Sequence, residues 1–269
     1  MEVGLNNHLK RIASELFIKY NSPERKKIDT SIDNILKKLD DYFEDEIDEC
    51  YVFGSYIRDT ILPRQCDPNS DIDILVEFNI EEYDKLKPES YRSQLKKFAE
   101  ENYPFSLVLK DHPSIVLELN HIKFDLVPSI FDEGFIYDSI EIPNKNGGWM
   151  ETEPDSFNEK LTKANIRYNS IVKPIIRLLK YWNATHEYPF FSFELETAIA
   201  GMNFDKDNYE SGFLYAVEKI SDYDLPSWAA GKVKALQTNA DWIREYLDRQ
   251  DVIKAKNSLN KILPGFGDF

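Results

Sequence analysis

The sequence predicts an α+β protein in two parts. A lobe with a mixed or antiparallel sheet occupies residues 1–150, and an all-helical lobe occupies residues 151–269. Three observations predict this. Strand-like segments are confined to one window: Glu49–Phe53, Asp71–Phe78, Phe105–Lys110, Ile115–Leu119 and Ile122–Val127. Outside that window apolar residues recur at helical spacing. Between the two regimes, Tyr137–Glu153 carries Pro143 and Gly147-Gly148 and reads as an irregular connection.

The elements follow in order. Leu5, Leu9, Ile12, Ala13, Leu16 and Phe17 form a helical stripe over Leu5–Tyr20. Ser22-Pro23 starts a second helix, with Ser as N-cap and Pro at the first position, running to about Glu46. Tyr56–Leu62 reads as a short helix and Pro63–Ser70 as loop. The acidic run Glu77–Asp84 reads as a solvated loop. Tyr91–Asn102 is helical through Leu95, Phe98 and Ala99. Asn120-His121 is a two-residue loop suited to a tight hairpin. Ser156-Phe157-Asn158-Glu159 has capping-box spacing and opens a long helix that Pro174 kinks or splits. Ser192 reads as the N-cap of a helix to about Met202. Further helices fall near Gly212–Ile220, Trp228–Leu247 and Val252–Leu263.

The chemistry concentrates between Val52 and Phe78. An apolar strand ends on Gly54-Ser55, whose backbone N–H groups and hydroxyl suit phosphate oxygens, the more so at a helix N-terminus. After a polar loop, a strand opens with Asp71 and Asp73. Residues i and i+2 of a strand face one side, so both carboxylates project into one place. They repel unless a cation lies between them. Asp125 sits mid-strand among apolar neighbours, where a carboxylate is costly unless something pairs it. Three aspartates on adjacent strands suit two Mg²⁺ ions about 3.5–4 Å apart, the arrangement of two-metal phosphoryl chemistry.

Composition narrows the partners. Net charge is −15, which disfavours an obligatory nucleic-acid partner, since such proteins carry a basic face. Two cysteines, Cys50 and Cys66, make neither a disulfide framework nor a zinc site. No run suits a membrane span or a signal peptide, so the expected location is cytoplasmic. His8, His112, His121 and His186 show no ligand spacing.

These motifs resemble a known family. Gly54-Ser55, Asp71-x-Asp73 and Asp125 are similar to the polymerase-β-type nucleotidyltransferase superfamily. Gly54-Ser55-Tyr56-x-Arg58-x-Thr60, Ser70-Asp71-Ile72-Asp73, Phe124-Asp125-Leu126-Val127-Pro128, Leu178-Leu179-Lys180-Tyr181-Trp182 and Ser192-Phe193-Glu194-Leu195-Glu196 resemble its bacterial cGAS/DncV-like group, the SMODS nucleotidyltransferases. The resemblance covers roughly Asn34–Gly201. It implies a polymerase-β-like nucleotidyltransferase lobe with the active site in a cleft against the helical lobe. It implies Asp71, Asp73 and Asp125 as catalytic metal ligands for two Mg²⁺, with Mn²⁺ as an alternative ion. It assigns Gly54, Ser55, Arg58, Thr60, Lys180 and Ser192 to nucleotide binding. The implied activity joins nucleoside triphosphates into cyclic di- or oligonucleotide second messengers that a separate effector binds, in antiphage (CBASS) signalling.

From the residues alone, Lys180 reads as a surface lysine, Arg58 equally as a base-stacking guanidinium or a partner of Asp59 or Glu77, and Tyr181, Trp182 and Tyr188 as candidate base-stacking groups but sooner as core aromatics. Two other functions stay open at this point. One is transfer of a nucleotide to a protein, a tRNA or an RNA end; the other is a catalytically silent nucleotide sensor. Base choice, linkage, ring size, activating signal and oligomeric state are not legible.

Overall fold

A computed structural model describes residues 4–80, 85–132 and 139–266. In chain order the elements begin α1 (Asn6–Glu15), α2 (Pro23–Phe43), β1 (Ile47–Phe53), α3 (Gly54–Ile57), β2 (Asp71–Phe78), α4 (Pro88–Asn102), β3 (Leu107–Lys110) and β4 (Ile115–Glu118). They continue with β5 (Lys123–Asp132), β6 (Ser139–Pro143), β7 (Trp149–Thr152), α5 (Pro154–Arg167), α6 (Val172–Thr185), α7 (Ser192–Ala200), α8 (Tyr209–Lys219), α9 (Ser227–Asp248) and α10 (Val252–Ile262). Two compact units result. One comprises Ile18–Arg64 and Asn69–Asn158; the other comprises Met1–Phe17, Gln65–Pro68 and Glu159–Phe269. The sequence reading has a single division near residue 150; in the structure α1 belongs with the helices.

The first unit carries the sheet, in the order β1-β2-β5-β4-β3, with β6 on the far end of β5 and β7 beyond it. Among the described strands only β2 and β5 pair in parallel, so the sheet is mixed, as expected. Period-two alternation turns Ile72, Ile74, Val76 and Phe78 of β2, with Phe124, Leu126 and Ile130 of β5, to one face. Ile28, Ile32, Ile35, Leu39 and Phe43 of α2 and Tyr91, Leu95, Phe98 and Ala99 of α4 join them in one core. Its aromatic centre stacks Phe43 on Phe78 at 5.3 Å and Phe78 on Tyr91 at 4.8 Å. Truncating Phe98 to alanine there would cost about 3–5 kcal/mol.

Two turn expectations meet different outcomes. Asn120-His121 does close a tight hairpin: the Leu119 N–H donates to the Ile122 carbonyl at 3.0 Å. His121 is pinned by its Nε2 contact to Ser31 Oγ at 3.1 Å. By contrast, the stretch read as irregular holds the β6–β7 hairpin. Asn144 organises its turn, accepting through Oδ1 from the N–H groups of Asn146 and Gly148. Gly147 supplies the left-handed corner at φ +80°. Pro143 ends β6 at the turn, where a missing N–H costs no internal ladder bond. Of the acidic run, Glu81–Asp84 lies outside the described residues, as do residues 137 and 138.

The second unit is helical. α6 is apolar nearly all round, with Ile175, Ile176, Leu178, Leu179 and Trp182 buried, as befits a central helix. Against it pack α1, through Leu9, Ile12 and Ala13, and α8, whose Gly212 permits close approach. A Cβ at Gly212 would lie 2.8 Å from Ile175 Cδ1. Asn208 caps α8 with a full capping box, and Asp251 caps α10 through the Lys254 N–H.

Four helix boundaries differ from expectation. α5 starts at Pro154, so Ser156 lies within its first turn; proline at a first helical position is already preset for helix. The long helix breaks at residues 168–171, where Asn169 and Ser170 take positive φ, and Pro174 sits in the first turn of α6 without kinking it. Ser192 is the first residue of α7, not its cap. Phe191 takes that position with no side-chain capping bond. α1 also ends at Glu15, short of Tyr20. Among the described residues no helix is long and apolar enough to cross a membrane.

Candidate active site

The face of the sheet opposite the α2–α4 core carries the aspartates. Asp71 and Asp73 alternate with buried Ile72 and Ile74 on β2. The parallel register sets Asp73 beside Asp125 and Asp71 beside Lys123. Neighbours in register share a face, so all three carboxylates emerge on the same side of adjacent strands.

β1 brings the turn to them. Its last residue, Phe53, pairs with Asp73. The next, Gly54, has φ +76°, and a Cβ there would lie 1.9 Å from Asp73 Oδ2. Glycine is required twice over, by backbone conformation and by space. The Asp73 carboxylate therefore lies directly against the Gly54-Ser55 turn. α3 opens at Gly54 but lasts only four residues, too short to stand alone.

Local bonds hold the turn. The Ser55 carbonyl accepts from the N–H groups of Thr60 at 3.0 Å and Ile61 at 3.1 Å, and from Thr60 Oγ1 at 3.4 Å. Thr60 is wholly buried, so its reach is to the turn. Arg58, 7% exposed, lies 5.1 Å from the Phe157 ring centroid and donates to Asn158 Oδ1 at 3.4 Å.

A second set of ties was not foreseen from the sequence. Tyr56, 2% exposed, donates its hydroxyl to Asp29 Oδ1 at 2.6 Å. The Arg25 guanidinium covers the Tyr56 ring at 3.7 Å and lies 3.4 Å from Asp29. Tyr20 donates to Asp59 at 2.8 Å. Arg25 and Asp29 one turn apart on α2 look like an ordinary surface pair; only the tertiary structure reveals the tyrosine beneath.

Asp125 is a strongly perturbed carboxyl. Burial pushes it from 3.8 up to about 7, and the charges of Asp71 and Asp111 push the same way. Ser114 Oγ donates to its Oδ2 at 2.9 Å and, with Lys123, offsets part of that rise. As the side chains stand, no group of three carboxylate, imidazole or thiol side chains among the described residues converges to hold a metal ion. The donor chemistry still fits a hard divalent cation: three oxygen donors on one face, one of them buried and repelled by its neighbour.

Lys180 and Ser192 lie in the helical unit. Lys180 is 6% exposed on α6, a buried lysine rather than a surface one, and makes no ion pair among the described residues of its unit. Asn183, fully buried one turn later, holds the approach to Ser192. Its Nδ2 donates to the Phe190 carbonyl and its Oδ1 accepts the Phe190 N–H, both at 3.0 Å. The candidate stacking aromatics are packed. Trp182 is buried against His186, Tyr181 donates to the Pro264 carbonyl at 2.6 Å, and Tyr188 donates to Asp67 at 2.7 Å.

Comparison with known proteins adds the following. A family model described as "Second Messenger Oligonucleotide or Dinucleotide Synthetase domain" matches residues 3–165. The cyclic AMP-AMP-AMP synthase of an Acinetobacter species is 26% identical over 184 residues, which is 64% of this chain and 51% of that protein. The match thus spans about half the length of this curated relative. Among solved structures, CdnC of E. coli MS115-1 with ATP superposes at TM-score 0.68 and 15% identity, covering 98% of this chain and 99% of the other. The cyclic AMP-GMP synthase DncV of Vibrio cholerae with nonhydrolysable GTP superposes at 0.65 and 11% identity, covering 82% and 70%. These neighbours share the fold, a mixed sheet with helices of the polymerase-β-like nucleotidyltransferase kind.

Proposed function

Because this chain belongs to the Second Messenger Oligonucleotide or Dinucleotide Synthetase family, we propose that it joins nucleoside triphosphates into cyclic di- or oligonucleotides. The observation that carries this reading is the juxtaposition at Gly54: a phosphate-sized turn pressed against Asp73, with Asp125 in register beside it. A structural aspartate pair needs no such turn.

The 2′- or 3′-hydroxyl of one nucleotide attacks the α-phosphorus of another. A new oxygen–phosphorus bond forms, the α–β bridging bond breaks, and pyrophosphate departs with the electron pair. Asp71, Asp73 and Asp125 would hold Mg²⁺, which supplies charge neutralisation for the phosphates when bound. Asp125 takes the proton of the attacking hydroxyl, as a carboxylate within hydrogen-bond reach of it can. Gly54 and Ser55 offer fixed donors to the departing pyrophosphate, whose charge grows in the transition state. Thr60 and Arg58, both buried, support that turn instead of meeting a base. Lys180, a buried lysine, contributes a cation for the triphosphate, the role the family resemblance gives it. Ser192, at the start of α7, contributes to the same task.

Repetition of the transfer closes the ring. The product would act on a separate effector, in the antiphage signalling the family resemblance implies. The test is incubation with labelled ATP, CTP, GTP and UTP and Mg²⁺, beside the Asp71→Ala/Asp73→Ala variant. Phosphatase-resistant cyclic product absent from the variant is expected. Exclusively linear product, or transfer only to a macromolecule, would refute the reading.

A further inference from the structure

We propose that Arg25, Tyr56 and Asp29 form a brace that positions the Gly54-Ser55 turn for the departing pyrophosphate, making them positioning residues for catalysis. The inference rests on the phosphate-holding reading of that turn.

A four-residue helix has no cooperative stability of its own. Its placement comes from outside. The residue next to Ser55 is Tyr56, and it is clamped on three sides. Its ring sits in the α2–α4 core. Its hydroxyl donates to Asp29 at 2.6 Å, a short, charge-assisted bond. Its exposed edge is closed by the Arg25 guanidinium at 3.7 Å, within cation–π range. Arg25 is itself placed by the start of α2: Ser22 Oγ caps its N–H at 3.1 Å, and Asp29 lies one turn on at 3.4 Å. The brace thus ties the first turns of α2 to the residue beside the proposed phosphate donors. A second tie, Tyr20 to Asp59, pulls in the same direction at the far end of the turn.

The chemical consequence follows from where charge develops. Donors held rigidly at the leaving group act more strongly in the transition state than in the ground state, so slackening them lowers kcat more than it raises KM. The effect of losing one brace bond is smaller than losing a direct donor, about tenfold in kcat against the hundredfold or more typical of the latter.

The experiment compares Tyr56→Phe, Asp29→Ala, Asp29→Asn and the Tyr56→Phe/Asp29→Ala double variant. Tyr56→Phe keeps the ring and its cover while removing only the hydroxyl. Each is assayed with nucleoside triphosphates and with β,γ-methylene and β,γ-difluoromethylene analogues, whose leaving groups differ in basicity. Expected results are kcat losses of about tenfold for Tyr56→Phe and Asp29→Ala, no further loss in the double variant, and near-native kcat in Asp29→Asn, which keeps the acceptor. The dependence of kcat on leaving-group basicity should steepen in Tyr56→Phe. Unchanged dependence, additive losses, or losses confined to KM would overturn the brace. Should wild type yield no product from any triphosphate, the synthase reading fails separately. Amide hydrogen exchange over Gly54–Ile61 then decides the brace: faster exchange in Tyr56→Phe supports it, and equal exchange overturns it.

Discussion

Replacing Asp125 by asparagine should make this protein more stable, and the gain should grow with pH. Asp125 gives up its proton near 3.8 in the unfolded chain but near 7 in the folded one. Between those values the folded state binds more protons than the unfolded state, so stability falls as pH rises through the window. Above about pH 7 the full cost applies, corresponding to about 4 kcal/mol. Solvent at the partly exposed edge of the carboxyl makes that an upper figure. Asparagine keeps an oxygen to accept the Ser114 hydroxyl and carries no charge to desolvate. At roughly 2–4 °C per kcal/mol, the full cost converts to a Tm difference of roughly 8–16 °C. The assay is thermal unfolding of both proteins from pH 4.5 to 8 in EDTA. Wild type should lose stability across the range while Asp125→Asn stays nearly flat. Adding Mg²⁺ at pH 8 should recover wild type and leave the variant unmoved. Parallel pH profiles in EDTA would refute the reasoning, because the two proteins differ only in this titrating group.

Three further outcomes are expected. Gly54→Ala should cost about 1–2 kcal/mol from its positive φ alone and displace the Asp73 carboxylate, abolishing product formation while circular dichroism stays native. Lys180→Met should hold or raise Tm, since it removes a buried cation with no ion pair among the described residues, while lowering synthase turnover at least tenfold; a stability loss without an activity loss would mark it as structural. Asn183→Ala leaves both Phe190 backbone groups unpaired and should cost about 2–4 kcal/mol by urea unfolding, with triphosphate affinity falling as the approach to Ser192 loosens.

What the sequence made legible was local or periodic. β2 spans Asp71–Phe78 as read, because alternation and two aspartates mark its start. The Asn120-His121 loop was readable because two-residue hairpins leave few alternatives. The placement of Asp71, Asp73 and Asp125 on one face of adjacent strands was legible because period-two alternation fixes the side each residue takes. The misreadings have physical sources. The β6–β7 hairpin hid behind Pro143 and a glycine pair, which read as breakers but serve as the turn. Pro174 was read as kinking or splitting the long helix; the helix does split, but at Asn169 and Ser170, whose left-handed backbone no spacing rule flags. Lys180 offered the composition of a surface residue, and only the all-round burial of α6 reveals otherwise. The Arg25–Tyr56–Asp29 contact joins residues far apart in sequence, and nothing local announces it.

The chain's division into interleaved units sets an order of events on the ribosome. α1 is ten residues long and too short to persist unaided. The helices it packs against, α6 and α8, are translated much later, after the whole of the sheet-bearing unit. At about 5–20 residues per second, roughly 160 residues of synthesis separate α1 from α6, a wait of roughly 8–30 s. During that interval the sheet and its α2–α4 core can already close, while the amphipathic N-terminal segment stays unpaired and exposed to chaperones. α1 is thus made well before the helices that bury it.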